Sequence, residues 1–317
     1  MNAPARPHRS GFVAVVGRPS TGKSSLLNTA LGQLVAPVSP RPQTTRRRQL
    51  GILTLPDAQL VFVDTPGVHT PRHKLGQFFN QEAEEALDGV DVVLFLVDSS
   101  SEPDEEDRQV AGLIQARLPS LHSGSASRRR KPSLILGLNK IDKLPSPALE
   151  LVRADYQALI PDATAMAFSA ANRQGLKELL EALTARLPLG PAEFPEEQVT
   201  DLYEREIAAE LIREAALIFL RDEVPHALAV RLDEFSEREN GNAYIAATLL
   251  VERDSQKGIV IGEKGAMLKK IGSAARKEIE SMSGRKVFLE LRVKVDKDWR
   301  DNENALRRLG YKIKRQK

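Results

Sequence analysis

Three short clusters in this 317-residue chain have the residue types and spacings needed to handle a nucleotide. The first is Gly17-Arg18-Pro19-Ser20-Thr21-Gly22-Lys23-Ser24, with Ser25 following, which fits the G-x-x-x-x-G-K-[ST] phosphate-loop pattern. Glycines let backbone N–H groups converge on a phosphate, and a helix N-terminus adds a favourable dipole. Lys23 is placed to reach the β- and γ-phosphates, and the Ser24 hydroxyl to ligate Mg²⁺. The second cluster is Asp64-Thr65-Pro66-Gly67. An acidic residue closing an apolar strand is where a phosphate-loop protein helps hold Mg²⁺. Gly67 lets a backbone N–H approach a γ-phosphate closely. D-x-x-G alone is usually a plain turn, and its distance from the phosphate loop is what favours the functional reading.

The third cluster, Asn139-Lys140-Ile141-Asp142, selects a base. A carboxylate at Asp142 accepts the two donors of guanine, N1–H and the exocyclic amine. Adenine leaves that carboxylate unpaired, at a cost of about 1–3 kcal/mol or more. Asn139 is expected to tie this loop to the phosphate loop, and the aliphatic part of Lys140 to cover the ring. A backbone N–H in Ser169-Ala170-Ala171 is expected to meet guanine O6. GTP, GDP and Mg²⁺ are therefore the predicted ligands.

Around these clusters the chain alternates strands and helices. Apolar runs at 12–16, 90–97, 133–138 and 164–168 read as buried strands, and 49–54 and 59–63 as two strands joined by a turn. Helices are expected over 24–31, 78–87, 105–118 and 176–187. That alternation predicts an α/β fold, a doubly wound, mostly parallel sheet with the ligand at the strand C-termini. Every cluster falls at such an end, in a pattern similar to the translation-factor class of GTPases. The residue after Gly67 is Val68, where Ras-like proteins carry a glutamine that orients the attacking water. Valine cannot hydrogen-bond water, so slow intrinsic turnover is expected. A basic loop, 121–131, reads as a tolerated insertion or an RNA contact.

Length suggests two domains. The reading is a tail at 1–10, a GTPase domain at 11–188, a semi-rigid Pro-rich linker at 189–200, and a smaller domain at 201–317. Cysteine is absent, which excludes disulfides and thiolate metal sites, and no apolar run is long enough for a membrane helix. Residues 1–10 lack a cleavable-leader pattern. A cytoplasmic protein is expected.

Net charge is only +3, but it is unevenly placed. Residues 189–254 carry 6 basic against 16 acidic side chains, and residues 255–317 carry 18 against 8. Such clustering is a footprint of a nucleic-acid surface, although a solvated tail gives the same count. Within 201–317 the predicted order is a helix (201–221), strands at 227–235 and 243–252, a short helix, the loop Gly262-Glu263-Lys264-Gly265, a helix, a strand at 286–295 and a last helix over 297–309. This is the α+β layout of a type II KH domain, whose G-x-x-G loop lies against single-stranded RNA while apolar side chains receive the bases. Lys257, Gly258, Ile259, Ile261, Gly262, Glu263, Lys264, Gly265 and Lys269 are the candidate RNA contacts, with Val260 and Leu268 further groove candidates. Glu263 sets a negative charge near a phosphate path; either Lys264 beside it offsets that charge or Glu263 points to solvent. Trp299 reads as a packing residue.

The whole pattern resembles the Era family of bacterial ribosome-assembly GTPases. It does so through the three clusters, Pro42-Gln43-Thr44-Thr45-Arg46, Val251 to Gly262, Lys294 to Arg300, and Leu309-Gly310-Tyr311. The resemblance implies a Ras-like GTPase domain followed by a KH domain. It also implies binding to the 3′ region of 16S ribosomal RNA, a role in 30S subunit assembly, a monomeric state and peripheral contact with the cell membrane. Thr45, rather than Thr44, is chosen as the switch residue on Mg²⁺ and γ-phosphate, so Lys23, Thr45 and Gly67 form the catalytic set and Ser24, Thr45 and Asp64 the metal set. Ser20 stands where the family carries an asparagine tied to K⁺ binding, which puts K⁺ in doubt as a cofactor. Two other readings are open. One is a GTPase whose basic domain binds protein or anionic lipid. The other is a P-loop kinase for a small molecule, which the guanine-reading pair disfavours.

Overall fold

The structure, a computed structural model, describes residues 8–36, 45–117, 131–144, 146–238 and 241–311. Thr44, the basic loop apart from Lys131, and the last six residues lie outside that set. The chain divides into two compact units. The described part of the first covers residues 8–36, 45–70 and 79–201, and that of the second 71–78 and 202–311.

The first unit is built on a six-stranded sheet of order β2-β3-β1-β4-β5-β6. Its strands are β1 (Arg9–Val16), β2 (Gln49–Leu55), β3 (Ala58–Asp64), β4 (Val92–Asp98), β5 (Ser133–Asn139) and β6 (Thr164–Ala167). Only β2 runs antiparallel to its neighbour; the rest are parallel. Parallel strands buried on both faces need unbroken apolar runs, which is why β4 reads Val-Val-Leu-Phe-Leu-Val. Its Val92, Leu94 and Leu96 join one core layer with Leu26, Leu27, Leu179 and Leu183, while Val93, Phe95 and Val97 join the other with Val110, Ile114 and Tyr156. Each such side chain contributes about 1.5–3 kcal/mol when fully buried.

The helices in this part of the chain are α1 (Lys23–Leu31), α2 (Lys74–Glu85), of which residues 74–78 group with the second unit, α3 (Glu105–Arg117), α4 (Ser146–Leu159) and α5 (Leu176–Thr184). Helix α4 is absent from the sequence reading. Its buried Val152 and Tyr156, one turn apart, anchor it to the sheet. The run 189–200, expected as a spacer, is instead held with its flanking residues by hydrogen bonds along strands of this unit. Ser10 N–H donates to Pro188 O (3.1 Å), Ile52 N–H to Val199 O (2.9 Å) and Leu50 N–H to the Asp201 carboxylate (2.7 Å). An edge strand such as β2 otherwise leaves its backbone donors unpaired.

The second unit holds a three-stranded sheet, β7 (Ala229–Glu237), β8 (Ala243–Val251) and β9 (Val287–Val295), with β7 antiparallel and β9 parallel to β8. Helices α6 (Glu204–Phe219), α7 (Asp254–Ile261) and α8 (Ala266–Ser283) complete it, and α9 (Glu303–Arg308) closes the described chain. Leu211, Ile212 and Ala215 of α6 and Ile271, Ala275 and Ile279 of α8 are core, whereas Ile218 is half exposed. The last helix is shorter than expected, because the Asn302 side chain caps it by accepting from Asn304 and Ala305 N–H. Trp299 therefore precedes the helix. It is fully buried and donates from Nε1 to Ala227 O (2.8 Å), which makes it a packing residue. Among the described residues no helix is long and apolar enough to cross a membrane.

Candidate functional site

The C-terminal ends of β1, β3 and β5 carry the three clusters, and the parallel register brings them together. Strand β1 runs out into Gly17 and the loop that ends at α1, whose N-cap Gly22 has φ +100°. Lys23 is buried and its Nζ donates to Gly17 O (2.9 Å) and Arg18 O (2.8 Å), so the ammonium sits across its own loop. Burial lowers the Lys23 pKa to about 8 against the pull of Asp64, which leaves it charged at neutral pH. Ser25 follows on the first turn of α1.

Asp64 closes β3 and is buried. Its Oδ2 receives Ser24 Oγ (3.1 Å), Thr45 Oγ1 (3.3 Å) and Gln49 Nε2 (3.3 Å), and the two hydroxyls lie 2.8 Å apart. Burial pushes the Asp64 carboxyl up, while Lys23 and the three donors pull it down. Its Oδ1 is buried without a hydrogen-bond partner among the described residues. Three hard oxygen donors converge here, one with an unsatisfied lone-pair face, and that set fits Mg²⁺. Gln49 is an addition to the predicted residues; its position at the start of β2, opposite Asp64 in the antiparallel register, is what brings it in.

Gly67 approaches the phosphate loop so closely that a Cβ would lie 2.6 Å from Pro19 N, a position only glycine accepts. Val68 is buried in the core, and its N–H points to Gly17 O (3.4 Å). Its aliphatic side chain offers no group that could hydrogen-bond water.

At the end of β5, Asn139 is almost wholly buried. Its Nδ2 donates to Thr21 O (2.8 Å) and its Oδ1 accepts from Ala170 N–H (2.9 Å), tying base loop to phosphate loop as its residue type suggests. Lys140, in the left-handed region at φ +68°, donates from Nζ to Ser20 O (2.7 Å) and Asp98 Oδ2 (2.6 Å). Asp142 lies exposed in the following 3₁₀ turn, and Ser169 Oγ donates to its Oδ1. Ser169 N–H donates to Gln174 O, and Ala170 N–H is the one Asn139 holds. The amide expected to meet guanine O6 is thus already hydrogen-bonded to Asn139. Asp98, at the end of β4, was not singled out from sequence, although an acidic residue closing an apolar strand gave the same signal there as at Asp64.

In the second unit the G-x-x-G residues form the turn between α7 and α8. Gly262 has φ +72° and Gly265 φ +81°; a Cβ on Gly262 would stand 2.7 Å from Met267 Cβ. Lys257, Gly258, Ile259 and Ile261 belong to α7, and Lys269 is exposed on α8. Glu263 and Lys264 are both exposed, which leaves the Glu263 charge in water. Ile259 is half exposed at 49%, whereas Val260, expected with it in a groove, is fully buried core. One side of α7 must face the sheet, and Val260 is on it.

Comparison with known proteins extends this picture. A family model described as 50S ribosome-binding GTPase matches residues 12–126, and a KH domain model matches residues 223–300. The GTPase Era of Geobacter metallireducens is 46% identical over 306 residues, covering 96% of this chain and 98% of that one. The GTPase Era of Lacticaseibacillus paracasei is 46% identical over 308 residues, covering 97% and 98%. Among solved structures, Era in complex with MgGDPNP and nucleotides 1506–1542 of 16S ribosomal RNA is 36% identical, with a TM-score of 0.88 over 96% of this chain and 100% of that one. A variant of Aquifex aeolicus Era bound to GDP·AlF4⁻ is likewise 36% identical, with a TM-score of 0.87 and the same coverage. The polar convergence at the ends of β1, β3 and β5, the turn between α7 and α8, and near-full-length similarity agree, and the chain belongs to the Era family of GTPases, a Ras-like domain followed by a KH domain.

Proposed function

We propose that the protein is a slow GTP-hydrolysing switch that binds the 3′ region of 16S ribosomal RNA during assembly of the 30S subunit. The observation that carries this is the joint presence, in one chain, of the Lys23–Asp64–Asn139 convergence and the glycine turn at 262–265, in a protein similar over 96% of its length to an Era solved with MgGDPNP and 16S nucleotides.

In this reading Gly17 to Ser25 cradle the phosphates, and the Lys23 ammonium exchanges its two carbonyl partners for phosphate oxygens. Ser24, Thr45 and Asp64 would hold Mg²⁺, which neutralises charge on the β- and γ-phosphates when bound. Gly67, packed against Pro19, would offer its N–H to the γ-phosphate. Asn139 and Lys140 fix the base loop against Thr21 and Ser20, and Asp142 reads guanine. With Val68 turned into the core, water is oriented only by backbone and by whatever RNA or partner supplies, hence a low basal rate. The α7–α8 turn and Lys269 hold RNA phosphates while Ile259 and Ile261 receive bases. A cytoplasmic location, where ribosomal subunits are made, belongs to the same reading. Peripheral membrane contact rests on family resemblance alone.

The test is GTP turnover with and without a short RNA matching the 16S 3′ end, against a scrambled RNA. Stimulation by the matching RNA alone is expected. An equal response to both, or none, overturns sequence-specific recognition and leaves a GTPase with a docking module.

A further inference from the structure

One polar cluster in the first unit is not used by the reading above. Arg18, inside the phosphate loop, sends its guanidinium to the first turn of α3 and to Ser101. Nε donates to Asp107 Oδ2 (3.0 Å) and lies 3.3 Å from Asp104 Oδ2, and Nη2 lies 3.3 Å from Ser101 Oγ. Asp107, on the first turn of α3, is fully buried. Its Oδ2 also receives Tyr156 OH (3.1 Å), while its Oδ1 is buried without a hydrogen-bond partner among the described residues. Burial pushes the Asp107 carboxyl up, and Arg18 is the cation that opposes this.

The contacts then return to their starting point. Tyr156 OH also reaches the Asp98 carbonyl (3.2 Å), the Asp98 carboxylate holds Lys140 Nζ (2.6 Å), and Lys140 Nζ donates to Ser20 O (2.7 Å), two residues from Arg18. The two residues that close the circuit, Ser20 at φ +63° and Lys140 at φ +68°, are both non-glycines in the left-handed region. Such strain persists only where the surroundings over-determine the backbone. A purely structural account is available for part of this. Asp104 and Asp107 exchange backbone and side-chain hydrogen bonds across the first turn of α3, which is ordinary helix capping. Capping requires neither Arg18 nor Tyr156, and it does not bury a carboxylate against a phosphate-loop arginine.

We infer that Asp107 and Tyr156 are positioning residues for the nucleotide. They lock the phosphate loop at Arg18 and, through Asp98 and Lys140, lock the base loop to the same body, so that the phosphate half and the guanine half of the site hold their ligand as one unit. The inference rests on reading residues 17–24 and 139–142 as those two halves. Neither residue touches nucleotide. Their effect is on how long the ligand stays, and chemistry at saturation is left alone.

The experiment measures release of fluorescently labelled GDP, and the kcat and KM for GTP, in the full-length protein and in Asp107→Asn, Tyr156→Phe, Lys140→Ala and the double variant Asp107→Asn/Lys140→Ala. Tyr156→Phe keeps the buried ring and removes only the hydroxyl, so it serves where Asp107→Asn fails to fold. Both single changes at the relay are expected to speed GDP release roughly tenfold, the equivalent of one lost buried hydrogen bond to a charged group. KM is expected to rise with kcat altered less than about twofold. The double variant is expected to release GDP no faster than the faster of its two parents, because either change opens the same circuit. Wild-type release rates in both Asp107→Asn and Tyr156→Phe, or a double variant whose factor is the product of the singles, would overturn the relay. Failure of the wild-type protein to bind labelled GDP would instead overturn the site reading on which it rests.

Discussion

Replacing Asp142 by asparagine tests the base site most directly. The Asp142 carboxylate sits in the 3₁₀ turn after β5, braced by Ser169 Oγ, and its loop is pinned by Asn139 to Thr21. Guanine offers it two donors. A hydrogen bond to a charged acceptor contributes about 1.5–3 kcal/mol. In Asp142→Asn one acceptor survives, and the new amide N–H faces the exocyclic amine, donor against donor. Because Asp142 is exposed, a net loss equal to one such bond is the right scale. That is roughly a 10- to 150-fold weaker GDP affinity. Xanthine carries a carbonyl where guanine has the amine, so xanthosine diphosphate gains what GDP loses, and the preference ratio should move by roughly 10²–10⁴. Competition of both nucleotides against fluorescent GDP at equilibrium reads the ratio. A variant that keeps the wild-type preference for guanine would refute the assignment of Asp142.

Other outcomes follow from the same geometry. Changing Gly262 and Gly265 together to Asp forces side chains into left-handed backbone, one of them 2.7 Å from Met267 Cβ, and adds charge beside the RNA path; RNA binding should vanish with GDP affinity intact, and retained RNA affinity would remove the 262–265 turn from the interface. Burial raises the Asp98 carboxyl, but the hydrogen bonds from Lys140 and Ser100 outweigh it and hold the pKa below the ordinary carboxylate value. Its stabilisation is thus present above the ordinary carboxylate pKa and lost as pH falls through the native one. The stability gap between wild type and Asp98→Asn should therefore be flat above about pH 5 and close in stronger acid; a gap independent of pH would contradict this. Trp299→Phe removes a fully buried indole and its bond to Ala227 O, and should cost about 2–4 kcal/mol in urea unfolding without changing GDP release. Basal GTP turnover should fall well below the ~1–100 s⁻¹ of kinases, and a rate in that range would show that Val68 is no handicap.

Much of the site is readable from the chain because its signals are local. A phosphate loop is eight adjacent residues between an apolar strand and a helix, and the acidic ends of β3 and the Asn-Lys-x-Asp run after β5 carry their chemistry within four residues each. The alternation of strand and helix then places all of them on one edge of a parallel sheet, since parallel strands end on the same side. Helix α4 could have been found, for Val152, Tyr156 and Leu159 recur at helical spacing, but its apolar face is short and the sequence reading assigned nothing there. The half-exposed Ile259 beside the buried Val260 was not separable by residue type. Both are β-branched aliphatics, and only the packing of α7 decides which one faces water.

What the amino-acid order determined by itself was the chemistry on offer: a phosphate cradle, a carboxylate for a metal, a carboxylate for guanine, a missing glutamine at Val68 and a glycine turn in a basic segment. What only the tertiary structure decided was which distant groups are held together. Arg18 and Asp107 lie 89 positions apart, Asn139 and Thr21 lie 118 apart, and Ile52 N–H finds Val199 O. Local propensity carries no information about such pairs. They exist because sheet register and helix packing bring buried polar groups within reach, and a buried donor or acceptor left without a partner is too costly to persist.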